Sequence, residues 1–475
     1  MPGLDSKHEA AVGRSTPEAA GLEATIRGCL SAASGVAWRL ANRRSLKVMS
    51  SWLMTLFRDH PVAISTRWML IGQLTRAIIQ ALYIVCLARV LEPRGYGAFA
   101  GVLALVSSFT PFASLGSGAI LVKNAARNPG SFRRYWSNAL LTTLCAGGLL
   151  CIVVLFAGRA IFPATVPTTL IAAVAISDLV FLPLIEISGQ AHQSLGRLKR
   201  MAQTHLVWSA MKLLAAGIFM WYAPGLNVAD WGLLYLGSTI AAASATVGQV
   251  ILEHGSSRLR FGYAPGEIGE GVAFALGGSG KTICDDIDKT LLTRLASLEA
   301  AGIYTAAYRV ADLACLPIRS LLFASFPGFF RTGASGVAAV ARPAIRLTSI
   351  GVCYGALAGF VLFAAAPLIP AILGPRFAPV ESALRWIAFL PALRALHSFV
   401  GDALAGAGRQ TARTATLLCA ALVNTGLNLF FIPLYGWRGA AASTLVSESL
   451  LVAGLWGLVA TAARKSAVHP PGGMF

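Results

Sequence analysis

Residues 275–282 read ALGGSGKT, ending in a Gly-Lys-Thr that fits the looser phosphate-loop pattern. In such a loop backbone N–H groups cradle phosphate oxygens, the lysine reaches the outer phosphates and the hydroxyl holds a metal ion. The loop works only between a buried strand and a helix, inside a parallel sheet. No α/β segment of sufficient length exists in this chain, so the match reads as accidental. Neither a nucleotide nor any other cofactor is expected. What survives is Lys281, a cation well inside an apolar stretch.

Other polar side chains recur at helical spacing. Gln73, Arg76, Gln80 and Tyr83 follow one another at intervals of three and four, which puts them on one helix face. Lys281, Asp285 and Asp288 repeat that geometry, with Asp286 and Lys289 alongside. Tyr304, Tyr308, Asp312 and Arg319 share another face, next to Arg309. His205, Ser209 and Lys212 form a further stripe, and Asp178, Glu186, Arg394, Asp402, Asn424, Asn428 and Glu448 are isolated polar groups in apolar runs. A charge near the centre of a membrane helix costs roughly 2.5–3.5 kcal/mol on insertion scales, so it turns inward. Two readings are open. Lys281 with Asp285, Asp285 with Lys289, and Asp312 with Arg309 could each neutralise locally. Alternatively the stripes line a hydrated central cavity made cationic by Arg76, Lys212, Lys281, Arg309 and Arg319, which suits a phosphate-bearing anion.

The elements that carry these stripes must be membrane helices. Of 475 residues, 56% are hydrophobic and only 12% charged, against roughly 25% charged in a soluble domain. Hydrocarbon must therefore be the solvent for most of the surface. The net charge of +19 fits basic loops that set membrane orientation better than nucleic-acid binding, for which no soluble basic domain exists. The eight cysteines include no CxxC pair, and the seven histidines are scattered, so no metal site is expected.

About twelve spans are predicted, at 66–91, 97–122, 136–162, 167–190, 202–222, 230–252, 269–296, 300–327, 345–374, 380–404, 412–434 and 438–463. Even-numbered loops and the C-terminal tail hold sixteen Lys and Arg residues, from Lys123 to Lys465, against four in odd loops (Arg94, Arg159, Arg376 and Arg438). That bias puts both termini in the cytoplasm. Residues 1–62 form a basic, polar lead without a signal-peptide pattern. It reads either as an interfacial amphipathic helix or as sequence upstream of a true start at Met49 or Met54.

Residues 72–105 align without gaps on residues 277–310 at a constant offset of 205, matching Gly72 with Gly277, Leu87 with Leu292, Arg89 with Arg294 and Gly97 with Gly302. The reading is a duplicated fold of two six-helix lobes, 63–260 and 261–475.

Three stretches, LARVLEPRGYGAFAGVLAL (87–105), DKTLLTRLASLEAAGIYTAAYRVAD (288–312) and GAGRQTARTATLLCAALVNTGLNLFFIPLYGWRGAAASTLVSE (406–448), resemble the polysaccharide-export flippases of the MOP superfamily, which also includes the MATE drug exporters. The likeness covers roughly residues 66–465. It implies an all-α polytopic fold with two lobes around a cavity that opens alternately to either side of the bacterial inner membrane. It also implies a lipid-linked oligosaccharide as cargo, carried on undecaprenyl pyrophosphate, with membrane lipids and polysaccharide polymerase or export machinery as partners. On that picture Arg76 and Lys281, one per lobe, balance the pyrophosphate, and Gln80, Lys212, Arg309 and Arg319 complete the site. Tyr304 and Tyr308 would stack on sugar faces. Asp285, Asp288 and Asp312, carboxylates beside cations, are the candidates for ion coupling. A MATE-type cation antiporter and a lipid II flippase are the competing readings. A membrane enzyme is disfavoured, because every odd loop is short and no nucleophile–base set appears.

Overall fold

The computed structural model describes residues 61–468, apart from 223–224, 226, 256–261, 264–265 and 334–335; the basic lead before residue 61 lies outside them. Residues 1–68 and 69–475 form separate compact units, and the polar stripes belong to the second. A backbone in hydrocarbon has no water to satisfy its N–H and C=O groups, so it satisfies them within helices. Among the described residues the regular structure is helical throughout.

The helices are α1 (Pro61–Ala113), α2 (Ser117–Arg127), α3 (Phe132–Ile161), α4 (Thr168–Ile176), α5 (Leu182–Ser194), α6 (Leu198–Trp221), α7 (Val228–His254) and α8 (Glu267–Leu295). They continue with α9 (Leu298–Ala314), α10 (Leu316–Gly333), α11 (Val337–Ala365), α12 (Ile369–Leu373), α13 (Val380–Ile387), α14 (Leu390–Gly406), α15 (Gln410–Tyr435) and α16 (Trp437–Val468). Local signals start several of them. Asn227 and Asp230 exchange side-chain and backbone hydrogen bonds in a capping box at the head of α7, and Ser297 accepts from the Ala300 N–H at the head of α9.

Among the described residues eight segments are long and apolar enough to cross a membrane, and the first, Thr75–Arg127, contains most of the first predicted span and all of the second. The predicted fifth span corresponds to α6, the seventh to α8, and the eighth to α9 with α10. His205 and Lys212 interrupt α6, acidic and basic residues interrupt α8, and a turn at Cys315 splits the eighth span into α9 and α10.

Breaks fall where the chain must turn. Glu92, at φ 55 and ψ 175, divides α1 just before Pro93. Residues 275–282 lie wholly within α8, so ALGGSGKT forms a helix and not a phosphate-cradling loop. The predicted second span, 97–122, is interrupted at residues 114–116, where Gly116 takes a left-handed conformation.

Loop contacts obey the alternation expected of a polytopic chain. Arg134 Nε donates to the Gly262 carbonyl (2.5 Å), Arg133 Nη2 to that of His254 (3.3 Å), and Arg197 pairs with Glu253 (2.6 Å). Even-numbered connections therefore meet one another. Odd-numbered ones do likewise: Arg376 pairs with Glu92, and Arg89 Nε donates to the Ile372 carbonyl at 2.8 Å. Large apolar side chains such as Phe156, Trp221, Leu252, Phe360 and Leu422 point outward, as a lipid-facing surface requires.

The internal repeat has a physical counterpart. A Cβ on Gly97 would overlap the Leu298 carbonyl oxygen and come within 2.7 Å of the Gly302 nitrogen, and a Cβ on Gly302 would overlap the Pro93 carbonyl oxygen. Residues 93 and 298 are themselves related by the offset of 205, so the contact is reciprocal. The two repeat-related glycines let the turn after α1's break and the start of α9 pack backbone to backbone, the small-residue solution common between membrane helices. Gly97→Ala and Gly302→Ala should each lower stability in detergent by about 1–3 kcal/mol, as overpacking does. Gly148→Ala, with nothing within 4 Å of the added methyl, should leave the melting curve unchanged.

Candidate functional site

One guanidinium organises the second half. Arg394, on α14 and 7% exposed, donates through Nε to Glu448 Oε1 on α16 at 3.1 Å. Its Nη1 donates to Asp312 Oδ1 on α9 at 3.0 Å, and Nη2 to Asp285 Oδ1 on α8 at 2.7 Å and to the Tyr308 hydroxyl. Its planar fork thus holds carboxylates from three helices. Asp312 is held again by Arg319 of α10, and Glu448 Oε2 lies 2.6 Å from His397 Nε2. Among the described residues, Arg394, Arg319 and His397 thus surround three carboxylates.

A second network lies beneath it. Asp288 and Lys289 are each 1% exposed and pair at 3.2 Å. The Tyr304 hydroxyl donates to Asp288 Oδ2 at 2.7 Å and meets Thr444 Oγ1 at 2.9 Å. Lys289 Nζ also reaches Asp286 at 3.1 Å and sits 3.8 Å above the Tyr308 ring. Ser107 of α1 donates to Asp286 at 3.0 Å. These acidic groups are therefore matched by cations and hydroxyls.

The first half behaves differently. Lys212 of α6 is 7% exposed, with Nζ 3.7 Å from the Trp208 ring centre and 5.3 Å from that of Tyr83. Arg76 of α1 lies over the same Trp208 ring at 5.8 Å. Neither has a carboxylate within ion-pair distance among the described residues, and nor has Arg309 of α9. Lys212 lies within electrostatic reach of both Arg76 and Arg309, and Arg76 within that of Arg319. Four of the predicted cations thus act on one region from both halves of the chain. Carboxylates act on them from farther off, Asp178 on Lys212, Glu186 on Arg76, and Asp286 and Asp312 on Arg309; Asp178 is also served by the Tyr235 hydroxyl (2.9 Å) and Ser177 Oγ (2.8 Å), at a π-helical turn between α4 and α5.

Several expectations change in detail. Arg319 is tied to Asp312, and it takes the place expected of Arg309 as that aspartate's partner. Lys289 meets the backbone carbonyl of Asp285 and the carboxylates of Asp286 and Asp288. The rings of Tyr304 and Tyr308 are buried among helices with their hydroxyls committed to Asp288 and Arg394, so they support the acidic cluster and present no face to a sugar. Gln80 lies half-buried on α1, one turn beyond Arg76. Lys281 falls within α8, and its side chain lies outside the described residues. Trp208 and His397 were not among the polar stripes. The spacing of three between Arg394 and His397, on one face of α14, was the available signal.

The family described as "Polysaccharide biosynthesis protein" has a model that matches residues 62–332. The chain belongs to this family. No curated protein matches the sequence. Among solved structures, an inward-facing multidrug resistance MATE family transporter of the MOP superfamily is similar at a TM-score of 0.66 and 14% identity, over 83% of this chain and 99% of that one. An outward-facing MATE transporter gives 0.60 and 16%, over 86% and 98%. A MOP superfamily transporter from Pyrococcus furiosus, described as having a binding pocket of reverse polarity, gives the same four values. These likenesses show the fold, an all-α polytopic one of the MATE type. The chain is thus a polysaccharide biosynthesis family member with a MATE-type membrane fold.

Removing Arg394 would leave three carboxylates facing one another. Arg394→Gln should cost about 3–5 kcal/mol, the usual penalty for breaking a buried ion pair, and should show as lost monodispersity or a much lower melting temperature in detergent. Arg394→Lys, which keeps the charge but not the fork, should recover only part of this.

Proposed function

We propose that this protein is a flippase that moves undecaprenyl-pyrophosphate-linked oligosaccharide units from the cytoplasmic to the periplasmic face of the bacterial inner membrane. The supporting observation is the convergence of Arg76, Lys212 and Arg309, cations with no carboxylate within ion-pair distance among the described residues. A buried positive charge without a counterion is costly, and a pyrophosphate is the kind of anion that relieves it. Arginine suits it through paired hydrogen bonds, and lysine as a point charge.

In this reading two six-helix lobes, 63–260 and 261–475, rock about the Gly97–Gly302 contact and expose the cations to each side in turn. The prenyl chain stays in lipid while the polar oligosaccharide crosses between the lobes, where water and side chains replace the hydration it would lose in hydrocarbon. Lys281 would add a further cation from the second lobe. A cationic drug is repelled by the same charges, which speaks against the antiporter reading. Nothing in the geometry prefers one lipid-linked saccharide to another, so a lipid II cargo is separated by the transport assay.

Proteoliposomes with a fluorescent lipid-linked oligosaccharide, quenched from outside, read the transfer directly. Arg76→Gln, Lys212→Gln and Arg309→Gln should each slow it about tenfold or more, the loss of one charge-assisted contact of roughly 1.5–3 kcal/mol, with normal protein yield. Normal rates in all three would sink the site assignment, and faster transfer of lipid II than of other lipid-linked saccharides would shift the cargo.

We assign the driving force to the cluster of Asp285, Asp312 and Glu448, carboxylates from three helices held on the Arg394 guanidinium. Wild-type transfer should accelerate under an imposed pH gradient, and Glu448→Gln should lose that response while keeping a basal rate. Indifference of the wild type to the gradient would remove coupling from the scheme.

A further inference from the structure

The histidines scatter along the chain, yet two of them meet. His192 is in the last turn of α5, and Glu253 and His254 are the last two residues of α7. One donor atom from each of the three lies within 4.8 Å of the others, with His254 Nε2 3.9 Å from Glu253 Oε2. The separation of about sixty residues between the two contributing stretches hides the cluster from any motif search.

His192 is fully buried, and neither of its ring nitrogens has a hydrogen-bond partner among the described residues. His254 Nε2 is likewise buried without one. Buried polar nitrogens without partners are rare and costly, because each loses its water and gains nothing in return. Here they come together beside a carboxylate. Gln249 Nε2 donates to Glu253 Oε1 at 3.2 Å, which orients that carboxylate, and the ring of Phe132 lies 5.0 Å from that of His254. Such outer supports are what a metal ligand needs to hold its direction.

We propose that His192, Glu253 and His254 form a site for one divalent transition-metal ion of the zinc class. Two imidazoles and a carboxylate are a zinc donor set, with a water as fourth ligand. Bonds of about 2.0–2.1 Å place tetrahedral donors roughly 3.3 Å apart, so the cluster must contract, which side-chain rotation can supply. Arg197 occupies Glu253 Oε2 at 2.6 Å, and Arg200 lies 3.5 Å from Oε1. The Arg197 side chain is half exposed, so it can swing into solvent when the metal takes that oxygen. The ion would clamp the ends of the fourth and sixth predicted spans, on the face where the even-numbered connections gather. Metal there would exchange with an arginine for the same carboxylate.

The test uses the full chain in detergent, purified without a histidine tag and stripped with a chelator. Cobalt titration should give saturable binding of one ion per chain, with the visible bands of tetrahedral Co2+, displaced by Zn2+. His192→Gln and His254→Gln should each weaken binding by roughly tenfold or more, and His205→Gln should not. Arg197→Gln should tighten it. Zn2+ should raise the melting temperature of the wild type but not of His192→Gln, a reading that stands even if a variant is less stable. Absence of saturable cobalt binding, or binding that survives both histidine substitutions, overturns the site.

Discussion

A charge held among membrane helices has to be answered by another charge or by a ligand, and that constraint arranges this molecule. Arg394 answers Asp285, Asp312 and Glu448 at once, from a position where its donors reach α8, α9 and α16 together. Lys289 answers Asp286 and Asp288. These ties join helices that hydrophobic packing alone would hold weakly, since lipid is as apolar as the helices it surrounds. The same constraint is met differently around Trp208, where Arg76 and Lys212 approach an aromatic face and, among the described residues, have no carboxylate within ion-pair distance.

Symmetry at the centre sets how these parts face one another. Gly97 and Gly302 touch through a contact in which each residue plays its partner's role. The absence of a side chain at both positions lets backbones approach closely without interlocking, so the contact is firm yet smooth.

Much of the candidate site was legible because charge in an apolar run is conspicuous. Arg76, Lys212, Arg309, Asp285 and Asp312 were visible at helical spacing before any tertiary contact was known. Their partners were not. The natural guess from spacing is that Asp312 pairs with Arg309 three residues before it, and the fold gives it Arg319 and Arg394 instead. Tyr304 and Tyr308 stand on a polar face in sequence, and their rings turn out to be buried props for the carboxylates. Local spacing reports which face a residue shares, and a long side chain can reach past its own helix to a better partner on another.

What the sequence determined by itself is the class of molecule, helices in lipid joined by polar loops, and the inventory of charged residues in apolar runs. Each rests on short-range rules, since hydropathy, loop basicity and helical period are read within a few turns. The tertiary structure alone decided which charges cancel. Residues 285, 312, 394 and 448 come from four helices, and residues 192 and 254 from two more. Their meeting depends on how helices far apart in the chain are laid side by side, a matter of packing that no local pattern encodes.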